Sequence, residues 1–260
     1  MSNYYKTLVA EIRINIAEMF AYRFSFIMDI VVMFGILSFA FISKSGYRFV
    51  SYYNISDNSE IVQKTMILYG FIMWMLSNAA LTVICNGIRE EFLKGTFLQK
   101  MMAIVPVWWL FLGKTISSVI ITLLEIIVIV LLAKIIYSVT LFTTLSIILT
   151  IIVSFLGMFG LSLCLGALVL EKKKIGQLLL VIQAILLLLS DVFTVIDLPI
   201  YSKVIPLSLG NHLIRNIIIN SLYNRDLVFL VMVSLLWLVL GCVFFQLSYR
   251  RIKKVGYFCY

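Results

Sequence analysis

The chain has 260 residues, of which 63% are hydrophobic and 13% charged, with a formal charge of +9. Soluble domains run near half apolar and a quarter charged, so a water-soluble globular fold is excluded: it could not hide this much apolar surface. The positive charge does not mark a nucleic-acid binder either, because the basic residues sit in short clusters between apolar runs, the pattern that orients membrane spans.

The first element is a helical pattern over 3–23. At 100° per residue, Tyr5, Leu8, Val9, Ile12, Ile16, Met19 and Phe20 fall within an arc of about 120°, with Lys6, Glu11, Arg13 and Glu18 outside it. This predicts an interfacial amphipathic helix, packing on another protein being the alternative. A spanning helix needs about 20 apolar residues to cross a core about 30 Å thick. Such runs lie at 24–43, 65–85, 107–133, 141–170, 175–196 and 227–247, predicting an all-α membrane protein with six transmembrane helices in a single domain over 1–260. One helix over both the third and fourth runs would overshoot the bilayer about threefold, so a tight outer turn is expected at Lys134 to Thr140. The first run follows a long polar stretch and has no small-residue cleavage site after it, so no cleaved signal peptide is expected.

Residues 197–224 contain Asp197-Leu198-Pro199 and Val204-Ile205-Pro206-Leu207. They are too apolar for a free loop and too broken for a span, so an outer re-entrant or interfacial segment shielded by protein is expected before the last span. With both termini cytoplasmic, fourteen Lys and Arg fall on the inner side, among them the Lys172–Lys174 run and Arg250, Arg251, Lys253 and Lys254; seven fall outside. That asymmetry predicts a multi-pass protein of the plasma membrane with N- and C-termini inside.

Catalysis finds no support. Gly113-Lys114-Thr115 resembles the end of a phosphate-binding loop, but position 108 is Trp where the first glycine belongs, and no strand precedes it. A multi-histidine metal site is excluded because His212 is the single histidine. The four cysteines have neither disulfide-like nor zinc-like spacing. No catalytic residue, no metal and no cofactor of the chain's own is expected.

Two carboxylates lie inside spans, Glu125 and Asp29. An ionisable group is costly in hydrocarbon, so each must face protein or water. Glu125 reads equally as a contact with cationic cargo and as a hydrogen bond to a neighbouring helix; Asp29 fits a place near the interface. Asn78 and Gln183 read as interhelical hydrogen-bond partners, and Asn78 joins Glu125 as a candidate for a substrate path. Ser154, Gly157, Gly160, Ser162, Gly166 and Ala167 give the fourth span close-packing faces, within one chain or between two.

The loop over 86–102 carries Arg89-Glu90-Glu91-Phe92-Leu93-Lys94-Gly95-Thr96-Phe97. It alternates charge with apolar residues at helical spacing and is too hydrophobic for a solvated loop. An amphipathic helix facing a partner or the inner leaflet is expected. The order Arg89-Glu90-Glu91, Gly95-Thr96-Phe97, Pro106 and Leu112-Gly113-Lys114 resembles the permeases of type-2 ATP-binding-cassette (ABC) exporters, as does the layout of interfacial helix, six spans and broken outer segment. Leu98, Lys100 and the place of Pro106 depart from the family's pattern.

The resemblance implies half of a translocation pore, with a second permease chain, identical or homologous, completing it. A separate ABC ATPase subunit would bind ATP and Mg and receive the helix from Arg89 to Phe97 as a coupling helix. Glu171, Lys172, Lys173 and Lys174 are a candidate second contact, or a charge cluster that fixes topology. The implied cargo is an amphipathic peptide, an antimicrobial or a lipid-like compound. An ion-coupled secondary transporter using Glu125 and Asp29, and a non-transporting membrane anchor, are the alternatives.

Overall fold

In a computed structural model the chain is described over residues 2–43, 59–97, 99, 107–139, 141, 144–172, 176–193, 203–219 and 224–255. Its helices are α1 (Ser2–Ala21), α2 (Arg23–Ile42), α3 (Ser59–Leu93), α4 (Val107–Tyr137), α5 (Leu145–Lys172), α6 (Gly176–Leu189), α7 (Pro206–Ile218) and α8 (Asn224–Val255). No strand occurs among the described residues. Five helices, α2, α3, α4, α5 and α8, are long and apolar enough to cross a bilayer, making this a multi-pass membrane protein.

Helix α3 is the axis of the bundle. Every residue from Thr65 to Ser77 is buried, so this stretch is enclosed on all sides rather than on one stripe. It packs on α5, α4 and α7 and, more lightly, on α6 and α2. At 35 residues it is about 52 Å long, more than the hydrocarbon core is thick, so part of it projects beyond that core.

Between α4 and α5 the chain turns at Ser138, which takes a left-handed φ of 53° just after Tyr137. The turn falls where the uninterrupted apolar stretch required one.

Contact between helices in lipid depends on close backbone approach and satisfied polar groups, because lipid supplies no hydrophobic drive. Helix α5 provides both, and its small residues serve contacts inside this chain. A Cβ on Gly160 would lie 2.5 Å from backbone atoms of Trp237 and Leu238 on α8, and one on Gly157 would lie 2.7 Å from Pro206 of α7. The Ser162 hydroxyl donates across to the Leu81 carbonyl of α3 at 3.1 Å.

The apolar run at 175–196 does not form one helix. Helix α6 has 14 residues and ends at Leu189, about 21 Å from its start and short of a full crossing. Beyond it Asp191 has φ 54°. Hydropathy hides this stop because its cause lies on α7. Asn211 donates to the Ser190 carbonyl at 2.7 Å, and the Arg215 guanidinium donates to the Asp191 carbonyl. A helix end buried in a membrane protein needs such partners for its free carbonyls. Arg215 itself is 2% exposed, a cation wholly inside the bundle. Replacing Arg215 by Met keeps most of the volume and removes the guanidinium donor from the Asp191 carbonyl. A loss of about 1–3 kcal/mol is expected, read as a lower melting temperature of the purified protein.

Helix α7, within the described part of the predicted 197–224 segment, packs on α5, α3 and α8. Its Gly210 lies against Ser154 and Met73, where a Cβ would collide with both side chains.

Helices α1 and α2 are separated only by Tyr22, whose φ and ψ of −101° and 38° break the helix for one residue. The most enclosed side chain of α1 is Glu11, which the sequence placed on the polar face. Its apolar Tyr5, Val9 and Phe20 are exposed instead. Helix α1 lies along α4, where Gly113 gives Glu11 room. Helix α2 is held mainly by its C-terminal half, through Leu37, Ala40 and an edge contact of Phe41 with Tyr137 at 4.9 Å.

Candidate functional site

Helix α3 stops where Gly95 takes φ 68°, a conformation that glycine adopts without Cβ strain. The Gly95 N–H donates to the Phe92 carbonyl at 3.2 Å, and the Thr96 N–H donates to the Glu91 carbonyl at 3.1 Å. These two bonds form a Schellman cap, which satisfies carbonyls left free at a helix end. Phe97 then folds back onto Phe92 with ring centroids 4.4 Å apart, in a cluster with Ile88, Phe111 and Phe245. The predicted separate helix over 86–102 is therefore, in its first half, the last two turns of α3 and a rigid cap. Beyond the cap, Phe97 and Gln99 are again helical, and the remainder lies outside the described residues.

This geometry divides the charged stretch by face. Arg89, Glu90, Leu93, Lys94 and Gly95 are exposed, Thr96 is half-buried, and Glu91, Phe92 and Phe97 are buried. The Glu91 carboxylate is held from two sides. The Thr96 hydroxyl donates to Oε2 at 2.5 Å and Lys114 Nζ donates to Oε1 at 3.2 Å. Lys114 also stands 3.9 Å from Glu90. The lysine reaches α3 over Gly87, where a Cβ would come within 3.4 Å of its Cδ. A charged pair thus ties the cap of α3 to the second turn of α4.

A second feature begins at the same place. A cavity of about 630 Å³ lies between the α1–α2 segment, α3 and α4, with Gln183 of α6 also reaching it. Each wall is a polar stripe at helical spacing. Helix α3 contributes Asn78, Thr82, Asn86 and Glu90; α4 contributes Lys114, Ser117, Ser118, Thr122 and Glu125; the α1–α2 segment contributes Asn15, Glu18, Tyr22, Ser25 and Asp29. From Lys114 to Glu125 the α4 wall runs about 16 Å along its axis. Asn78 and Glu125, named from sequence as a substrate path, lie in one cavity, and Asp29 and Gln183 join them there.

A family model described as ABC-2 type transporter matches residues 4–222. The chain belongs to the ABC-2 type transporter family. No individual curated protein matches it. The ABC-2 membrane domain is a transport component that works with an ATPase subunit and is not itself the catalytic ATPase. Its matched range contains both the capped end of α3 and the cavity.

In this ABC-2 permease, sequence reasoning did not assign Lys114 its partner, since only a contact between helices pairs it with Glu91. It also missed the stripes formed by Glu18, Thr82, Ser117, Ser118 and Thr122. The signal was present, because Asn78, Thr82, Asn86 and Glu90 recur every four residues through an otherwise apolar helix. Of the candidate second contact, Glu171 is engaged within the chain: it accepts from Ser248 at 2.9 Å and pairs with Arg251 at 3.6 Å. Lys172 is exposed, and Lys173 and Lys174 lie outside the described residues.

Proposed function

We propose that this chain is half of the pore of an ABC exporter, and that its ATPase subunit docks on the exposed face of the capped α3 end formed by Arg89, Glu90, Leu93, Lys94 and Gly95. The observation that carries this is the Glu91–Lys114 pair. It links that end to α4 at Lys114, which itself lines the cavity, so a displacement of the cap is delivered to a cavity wall. Glu91, Phe92, Thr96 and Phe97 make the cap stiff rather than touching the partner. Leu93 is 69% exposed among charged neighbours, which suits an apolar anchor for a protein surface.

ATP and Mg are bound by the partner, and closure of its nucleotide sites biases the bundle between two packings. Two permease chains, identical or homologous, complete the path in the plasma membrane, with both termini on the ATPase side. The cargo class is an amphipathic peptide, antimicrobial or lipid-like compound, supported by polar stripes interleaved with Met19, Phe26, Met33, Met75 and Ile121 in one cavity.

The test is transport in proteoliposomes containing the permease and its ATPase subunit. Leu93→Glu is expected to lower ATP-driven transport about tenfold or more, with no change in melting temperature because the side chain is exposed. Unchanged transport would remove this docking face. Transport that ignores ATP and follows a proton gradient would instead make the chain an ion-coupled carrier.

A further inference from the structure

We infer that the cavity between α1–α2, α3 and α4 is a binding site, complete within one protomer, for an amphiphile carrying more than one positive charge, a cationic peptide segment above all. This deepens the transport reading and rests on it for its physiological use.

Charge is the first ground. Four carboxylates line the cavity, Glu18, Asp29, Glu90 and Glu125, against one amine, Lys114. That amine is already occupied, 3.2 Å from Glu91 and 3.9 Å from Glu90. Among the described residues, the side chains of Glu18, Asp29 and Glu125 have no ion-pair or hydrogen-bond partner. Carboxylates in a membrane-embedded wall are costly unless something positive or wet meets them. Glu18 lies on α1 and Asp29 on α2, either side of the break at Tyr22, and Glu125 lies on the α4 wall. One positive charge cannot neutralise three unpartnered carboxylates.

The second ground is independent of charge. Trp74 lines the cavity, is 7% exposed, and its indole N–H has no hydrogen-bond partner. The Asn78 Oδ1, one turn further along α3, is also buried without a partner. Buried polar atoms are rarely left unmet in native proteins. The Trp74 N–H takes a carbonyl and the Asn78 oxygen takes an N–H, so one peptide unit of a ligand satisfies both. The carboxylates then take its basic side chains, and Met33, Met75 and Phe26 contact its apolar ones. A neutral lipid leaves the carboxylates unmet, and a compact inorganic cation leaves Trp74 unmet.

The experiment uses the full permease–ATPase complex in phosphatidylcholine nanodiscs without nucleotide. Its probe is a fluorescein-labelled amphipathic peptide with two lysines. The control is the same peptide with both lysines acetylated, which removes the charges. The charged peptide is expected to bind at least about tenfold more tightly. Asp29→Asn with Glu125→Gln, which leaves Glu18, is expected to reduce that difference at least about threefold. Equal binding of the two peptides, or a preference undiminished in the double variant, overturns the assignment.

Should the double variant fail to fold, a photoreactive benzophenone version of the peptide is cross-linked to the unmodified protein. Adducts on the groove faces of α3 and α4 support the site, and adducts confined to other surfaces overturn it. Because binding is read without nucleotide, its failure leaves ATP-driven transport standing. Binding that ATP never relieves removes the transport reading and keeps the site.

Discussion

Lys114→Met is expected to destabilise this permease more than any other exchange of one side chain at the α3–α4 junction, and to abolish ATP-driven transport. The substitution keeps the aliphatic stem that passes over Gly87 and deletes only the charge. Glu91, with its side chain 8% exposed, then loses the ammonium 3.2 Å from its Oε1 while the Thr96 hydroxyl stays on Oε2. Removing one member of a buried ion pair costs about 3–5 kcal/mol, because the surviving charge stays desolvated without compensation. Measured against a total stability of about 5–15 kcal/mol, that is a large fraction. Melting temperature and the yield of monodisperse protein both read the loss.

A companion variant separates folding from coupling. Lys114→Met combined with Glu91→Gln removes both charges, and the amide still accepts from Thr96. Replacing a buried pair by neutral groups is often close to neutral for stability, so most of the melting temperature returns. Transport is expected to remain lost, because α3 and α4 are no longer joined by the charged contact. Full transport in the double variant would show that the pair serves folding alone.

Much of this architecture is legible in the chain itself, and the parts that are not share one cause. The five long helices, the turn after Tyr137 and the small-residue faces of α5 follow from hydropathy and local spacing. The stop of α3 at Gly95 has a local signal, a charged helical run followed by Gly-Thr, but the helix expected over 86–102 runs through it. The stop of α6 has no such signal, since Leu189 and Ser190 lie inside an apolar run and their partners Asn211 and Arg215 come from another helix. Glu11 reads from sequence as part of the polar face because periodicity reports hydrophobicity, and a helix packed against Gly113 does not need an apolar contact there. The cavity stands between these cases. Its stripes are periodic in sequence, but only the packing of α1–α2 against α3 and α4 brings Asp29, Asn78 and Glu125 to one space.

The second large effect is expected at Gly160, where even one methyl group should separate α5 from α8. A Cβ there would sit 2.5 Å from the Leu238 nitrogen and the Trp237 carbonyl carbon, and both belong to backbone. No rotamer change relieves such a contact, so α8 must move as a unit. On the facing helix a Cβ at Gly241 would meet the Gly160 carbonyl oxygen, so the clash cannot be eased by sliding one helix past the other. This is the largest helix–helix interface of the bundle, and forced overpacking elsewhere already costs about 1–3 kcal/mol when side chains can yield. Gly160→Ala is expected to exceed that range, and Gly160→Leu to leave no monodisperse protein in detergent. Gly166→Ala meets the Ile84 Cγ2 methyl at 2.6 Å, side chain rather than backbone, so its cost should be smaller. Gly35→Ala meets nothing within 4 Å and should gain about 1 kcal/mol of helix propensity at most. Melting temperatures in the order Gly35→Ala, Gly166→Ala, Gly160→Ala, from highest to lowest, would establish the α5–α8 crossing as the contact that organises the bundle. A Gly160→Ala protein as stable as its Gly35→Ala counterpart would place the two helices further apart and move the organising contact to α3.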